Sequence, residues 1–186
     1  MYFFWQDHTF SQWEYSEFTG RVPEFLRTEY PRKDQEFKFV NCEQWMMFNK
    51  AVLFNDETVA NKILRTNNPA QIKKLGREVR GFDGRTWDAF KVKIVERGNL
   101  LKFLQNPNML KELIETTGIL VEASPYDKIW GIGLRATDPG ANDTSKWKGQ
   151  NLLGYSLTKL RDHLKAKGTT EAEIIAACVD DQFPSV

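Results

Sequence analysis

Glu43 follows Asn41 closely, and Asn41 is a good helix cap with Gln44 three residues further on. At the start of a helix, unpaired amides and the helix dipole favour a negative charge by about 0.3–1 kcal/mol, so Glu43 is expected to be ionised. Residues 43, 47, 50 and 54 recur at helical spacing, which aligns Glu43, Met47, Lys50 and Phe54 on one face. That stripe holds a carboxylate, a thioether, a cation and a ring. Position alone leaves two readings open: an acidic residue that serves the dipole, or a carboxylate that serves a site.

Trp87 lies one turn into the longest helical stretch, beside the Gly81-Phe82-Asp83-Gly84 break. Its ring either packs in a core or faces a cleft. Residues 120–134, LVEASPYDKIWGIGL, run from an apolar strand through Ser124-Pro125 to Asp127, Trp130, Gly131 and Gly133. Loops just beyond buried strands often carry functional groups, and close glycines let backbone approach a ligand. Asp127 and Trp130 would there present a charge and a flat ring to one pocket; a tight turn with a packed Trp is the alternative. The two glycines lack the third glycine and helix start of a dinucleotide fingerprint. Arg77, Arg80, Arg85 and Lys102 lie in or beside the segments flanking Trp87 and suit phosphate, or else solvate helix surfaces.

This inventory is two carboxylates, two tryptophans and several cations, with His8 and His163 the only histidines. It disfavours a Ser-His-Asp hydrolase. It suits chemistry without metal or histidine, in which carboxylates stabilise a cationic transition state while a heterocyclic leaving group is stacked. Cys42 and Cys178 form no C-x-x-C pair, so neither a zinc site nor a disulfide framework is expected. A net charge of +1 argues against a general nucleic-acid coat or a polybasic membrane binder. No apolar run approaches a membrane span, and Asp7 and His8 stand where a signal peptide would be basic and then apolar. A reducing, cytoplasmic setting is expected. Six Trp and thirteen Phe are a surplus that either a core or a ring-stacking site would use.

The elements that must position these residues are mainly helical. The first forty residues read as extended, with a short strand at 37–40. Helices follow at 42–54, 57–65, 69–79, 85–105 and 107–116, with caps at Asn41, Asp56, Asn68 and Asp83. The 85–105 helix is expected to turn Phe90, Ile94, Leu101 and Leu104 inward. A buried strand at 119–123 leads into the glycine-rich loop. A helix at 151–167 turns Leu153, Leu157, Leu160 and Leu164 inward, and Thr170 with Glu173 opens a last helix to about Val179. The expected fold is a single mainly helical α+β domain with a small sheet.

The ordered motifs resemble the NADAR (YbiA-like) family from about Tyr2 to Leu164. They are Phe10-Ser11-Gln12-Trp13, then Cys42-Glu43-Gln44-Trp45 with Lys50-Ala51, then Leu75-Gly76-Arg77 and Trp87. Lys102-Phe103 with Gln105-Asn106-Pro107 comes next, then residues 120–124, Asp127 and Trp130-Gly131. Trp147, Gly149, Asn151 and Leu153-Gly154 close the series. Gln12 and Gln44 stand where the family usually has asparagine and histidine, and both positions bear on substrate preference.

The resemblance implies a domain over residues 1–167, a helical extension over 168–186, and an N-glycosidase that needs no cofactor. The implied substrates are phosphoribosylamino-pyrimidine intermediates of riboflavin synthesis or ADP-ribose linked to a base. ADP-ribosylated nucleic acid is one such partner, for which Lys128, Lys146 and Lys148 would flank the groove. Glu43 and Asp127 match the catalytic positions, one stabilising charge and the other handling water. Trp87 and Trp130 would stack the heterocycle, and Lys50, Arg77, Lys102 and Gln44 complete the expected ligand contacts. A module that binds ADP-ribose or a related NAD metabolite without cleaving it is the alternative.

Overall fold

The computed structural model describes residues 1–168 and 170–177. In chain order its strands and helices are β1 (Tyr2–Phe4), β2 (Phe18–Gly20), β3 (Phe37–Phe39), α1 (Cys42–Leu53), α2 (Glu57–Ile63) and α3 (Pro69–Arg77). There follow α4 (Gly84–Gln105), α5 (Pro107–Glu115), β4 (Leu120–Glu122), α6 (Leu152–Lys165) and α7 (Glu171–Ala177). The α+β class and the helical predominance are as expected. Among the described residues no helix is long and apolar enough to cross a membrane.

The helix starts follow from their caps. Asn41, Asp56, Asn68 and Asp83 each accept from the amide three residues on, Gln44, Val59, Gln71 and Thr86, at 2.7–3.2 Å. Thr170 and Glu173 close their capping box in both directions, at 3.2 and 3.3 Å. The expected end of that helix at Val179, and Cys178 with it, lie outside the described residues. α2 and α3 stop at Ile63 and Arg77, short of Arg65 and Val79, because the chain tightens there into i to i−3 bonds.

The Cα positions group into two compact units. One is made of Met1–Glu14 and, among the described residues, those from Pro107 to Ala177. There β1 pairs with β4 in parallel, Tyr2 opposite Leu120 and Phe4 opposite Glu122. Parallel strands need a crossover connection, and here residues 15–106 belong to it. α6 packs on β4, and Leu153, Leu157, Leu160 and Leu164 are fully buried, the set read from the sequence. Val121, Ile132, Leu134 and Ala141 form a further cluster under Phe3, Ile119 and Trp147.

Tyr15–Asn106 make the other unit. β2 and β3 pair antiparallel with Phe18 opposite Phe39, so the expected small sheet is two separate strand pairs. α1 packs against α2, α3 and α4. Rings fill this core: Phe39 lies 5.1 Å from Trp45 and 5.5 Å from Phe48, and Phe48 lies 5.0 Å from Phe37. The Trp45 indole donates to Ile94 O at 2.7 Å, and a β-carbon on Gly98 would collide with that ring.

The buried face of α4 differs from expectation. Ile94 is buried, but Phe90, Leu101 and Leu104 are only partly so. The packed lines are 94–98–102 and 95–99–103. Residues 84–93 are exposed or half-buried, so packing begins only at the helix's middle.

Candidate functional site

In the Tyr15–Asn106 unit, α1 is buried along nearly its whole length, and Glu43 in its first turn is only 4% exposed. The stripe read from the helical period reaches Gly76 and Phe82. Met47 fills the space at Gly76 where a β-carbon would collide with its thioether. Lys50 Nζ donates to Gly76 O at 2.8 Å. Phe54 meets Phe82 at 5.4 Å with the rings 62° apart.

Lys50 Nζ also stands 4.3 Å from the centroid of Phe82 and 5.5 Å from that of Trp87. Such contacts are worth about 0.5–2 kcal/mol, more as water is removed. Burial pushes the Lys50 ammonium below its ordinary pKa, the Arg77 charge pushes the same way, and Glu43 opposes both. Lys50 thus meets Trp87 and feels the charges of Glu43 and Arg77. Phe82 also meets Lys50 and was not singled out in the sequence. The available signal was an aromatic residue set between glycines in a turn.

That turn is held from α2. Asp56 accepts from Arg80 N at 2.9 Å, Nε at 3.1 Å and Nη2 at 2.9 Å, while also capping α2. The hydrogen bonds from Arg80 hold the Asp56 carboxyl down to about 2. Arg80 is therefore engaged in the fold. Gly81 follows at φ 69°, a left-handed conformation that favours glycine.

Two of the expected ligand contacts lie inside the fold. Gln44 is buried, its Oε1 accepting from Val40 N and its Nε2 donating to Ile63 O and Thr66 O. Both ends of the amide are spent on backbone, so Gln44 ties the loop before α1 to the end of α2. Lys102 is fully buried on the inner face of α4, where its charge acts on Cys42. Burial dominates at that thiol, pushing it up to about 11. Arg77, by contrast, is exposed, and Lys50 and Trp87 are half-buried.

Asp127 and Trp130 belong to the other unit, in the loop after β4. Asp127 Oδ1 accepts from Ile129 N and Trp130 N, both at 2.8 Å, and Asp127 N donates to Ser124 Oγ at 3.2 Å. The carboxylate therefore organises the turn that carries the half-buried Trp130 ring. Gly131 is packed so closely that a β-carbon would strike Glu122 O. Asn151, at φ 53°, accepts from Glu122 N at 3.0 Å and donates to Leu120 O at 3.0 Å. Its backbone N–H donates to Gly131 O at 3.1 Å, which ties the loop to β4. Among the described residues no group of three or more His, Cys, Asp or Glu could hold a metal ion.

Of the six tryptophans only Trp45 is fully buried, so the surplus of large rings divides between one core residue and five that keep exposed surface.

Comparison with known proteins matches residues 3–165 to the NADAR domain. The chain is 46% identical to N-glycosidase R617 of Acanthamoeba polyphaga mimivirus, over 83% of this chain and 86% of that protein. It is 37% identical to Protein irg-1 of Caenorhabditis elegans, over 83% of this chain and 74% of that protein. The NMR structure of the Escherichia coli protein YbiA superposes with a TM-score of 0.64 at 22% identity, over 89% of this chain and 86% of that one, a likeness of fold. With the motifs in order over almost the whole described length, the chain belongs to the NADAR family.

Proposed function

We propose that the chain is an N-glycosidase, a hydrolase that cleaves the C1′–N bond of a ribosyl nucleotide derivative. The substrate class is a phosphoribosylamino-pyrimidine or an ADP-ribosyl-linked base. The observation that carries this reading is the Lys50 ammonium set against the Phe82 and Trp87 rings while under the charge of Glu43. A relative 46% identical that bears the name N-glycosidase supports it.

In this reading the base stacks on Trp87, a contact worth about 1–3 kcal/mol. The C1′–N bond breaks with its electron pair going to the nitrogen, which takes a proton from Lys50. A desolvated ammonium is a stronger acid than an ordinary lysine, which suits that step. Positive charge developing at C1′ is stabilised by Glu43, which then accepts a proton from the water that adds there. Glu43 then releases its proton to solvent, and solvent returns one to Lys50. Arg77 holds the phosphate. Asp127 shapes the turn that carries Trp130.

The test is mass spectrometry of ribosylamino-pyrimidine phosphates, NAD, ADP-ribose and ADP-ribosylated DNA, before and after incubation with wild type and Glu43→Gln. Release of a base from one of these, slowed about 100-fold or more in the variant, is expected. Equal rates in both proteins would sink the mechanism. Tight retention of a nucleotide with unchanged mass would replace the enzyme with a binding module.

A further inference from the structure

Phe82 is nearly half exposed, at 49%, although it is a large apolar ring in a short turn. It is nonetheless placed by specific contacts. Phe54 from the end of α1 meets it at 5.4 Å, and the Lys50 ammonium lies 4.3 Å from its centroid, closer than to Trp87 at 5.5 Å. The turn itself is clasped by the buried Asp56 through three bonds from the preceding Arg80. Asp56 at the cap of α2 thus holds Arg80, and two residues further along the same turn Phe82 reaches the ammonium of Lys50. Lys50 has four methylene groups and would otherwise sample many rotamers; the Gly76 carbonyl and the Phe82 ring are what confine its tip.

We propose that Phe82 is a positioning residue for the reaction: its ring holds the Lys50 ammonium at the Gly76 carbonyl, and the Asp56–Arg80 clasp holds Phe82. This rests on the reading of Lys50 as the proton donor, since only then does placing its tip change the chemical step. Phe82 touches Lys50 and acts through it. The effect is therefore expected in the step that Lys50 serves more than in substrate affinity.

The experiment compares wild type, Phe82→Leu, Phe82→Tyr and Arg80→Lys in two assays. The first is the acetylation rate of Lys50 by limiting acetic anhydride, read by peptide mapping against the exposed Lys74 of the same molecule. The second is the split between kcat and KM on whichever substrate the wild type cleaves. Phe82→Leu is expected to raise the Lys50 rate relative to Lys74 about threefold or more and to lower kcat about tenfold, with KM moving much less. Phe82→Tyr keeps the ring and is expected to match wild type in both. Arg80→Lys keeps the charge but loses the fork, and is expected to move both readings in the direction of Phe82→Leu.

The proposal is overturned if Phe82→Leu leaves the Lys50 rate unchanged, or raises it while kcat stays at wild type. It is also overturned if Phe82→Tyr fails to restore what leucine loses. A wild type that cleaves none of the substrates fails the N-glycosidase reading separately and takes the positioning role with it. The acetylation arm then still decides whether Phe82 confines Lys50. Phe82 is half exposed, so leucine there empties no core, and circular dichroism of each variant checks folding.

Discussion

Lys50 Nζ donates to the carbonyl oxygen of Gly76 at 2.8 Å, which joins the last turn of α1 to the last turn of α3. Met47, one turn earlier on the same face, lies where a β-carbon on Gly76 would be. The two contacts are complementary: the missing side chain lets the helices approach, and the approach brings the carbonyl within reach of the ammonium.

Gly76→Ala is therefore expected to destabilise the fold by about 1–3 kcal/mol, the usual cost of overpacking. Urea unfolding measures it. In a Met47→Ala background the same substitution should cost clearly less, because the colliding atoms are gone. An equal cost in both backgrounds would mean that Met47 is not the obstacle.

Asp56 predicts an acid limb. Its folded pKa is about 2 against an ordinary 3.8, so the stability it supplies is fully present above the unfolded value. That stability falls away as pH drops from about 4 towards 2. Urea midpoints measured from pH 7 to 2 should decline in wild type more steeply over that window than in Asp56→Asn, which is weaker at pH 7 and flatter below it.

Asn151 combines a left-handed backbone with two side-chain bonds to β4. Asn151→Gly tolerates the backbone but leaves the Glu122 amide and Leu120 carbonyl without those partners, at about 1–3 kcal/mol for each buried group. Asn151→Ala adds backbone strain of about 1–2 kcal/mol and should be the weaker protein. Thermal unfolding of both variants checks the order.

Asp127 offers a separation of shape from charge. Asn at this position keeps an oxygen for the amides of Ile129 and Trp130, whereas Ala removes it. If Asp127 serves by shaping the turn, Asp127→Asn retains most activity and ligand affinity while Asp127→Ala loses both. A rate in Asp127→Asn as low as in Asp127→Ala would assign the charge itself to the reaction.

If Lys50, whose pKa is lowered chiefly by burial and then by Arg77, is the proton donor, it sets the alkaline side of the pH profile. A proton donor is lost as pH rises through its pKa, so kcat/KM should fall at a pH below the ordinary lysine value of 10.5. Lys50→Arg, which stays protonated, should remove that limb while lowering the plateau. An unchanged alkaline limb in Lys50→Arg would exclude Lys50 as its source.

The caps show what can be read without tertiary information. Asn41, Asp56, Asn68 and Asp83 act on amides three residues away, so residue type and spacing were enough to place four helix starts. The inward leucines of α6 were legible for the same reason: one side of a regular helix is a local property. The Glu43, Met47, Lys50, Phe54 stripe was legible too, as an alignment whose neighbours were unknown.

What those neighbours are was decided by tertiary structure. Gln44 spends its amide on three backbone groups and Lys102 is enclosed, and neither burial has a signature in the local sequence. Arg80 suited phosphate by residue type, yet its guanidinium is held by Asp56, 24 residues away. The parallel pairing of Tyr2–Phe4 with Leu120–Glu122 spans more than a hundred residues of chain and had no local signature. The sequence by itself determined the helices, their caps, the family and the stripe that carries Glu43 and Lys50, because each rests on neighbours within a few turns. Burial, the Asp56–Arg80 clasp and the ring over Lys50 were decided only in three dimensions, because they depend on which distant segments exclude water from a side chain.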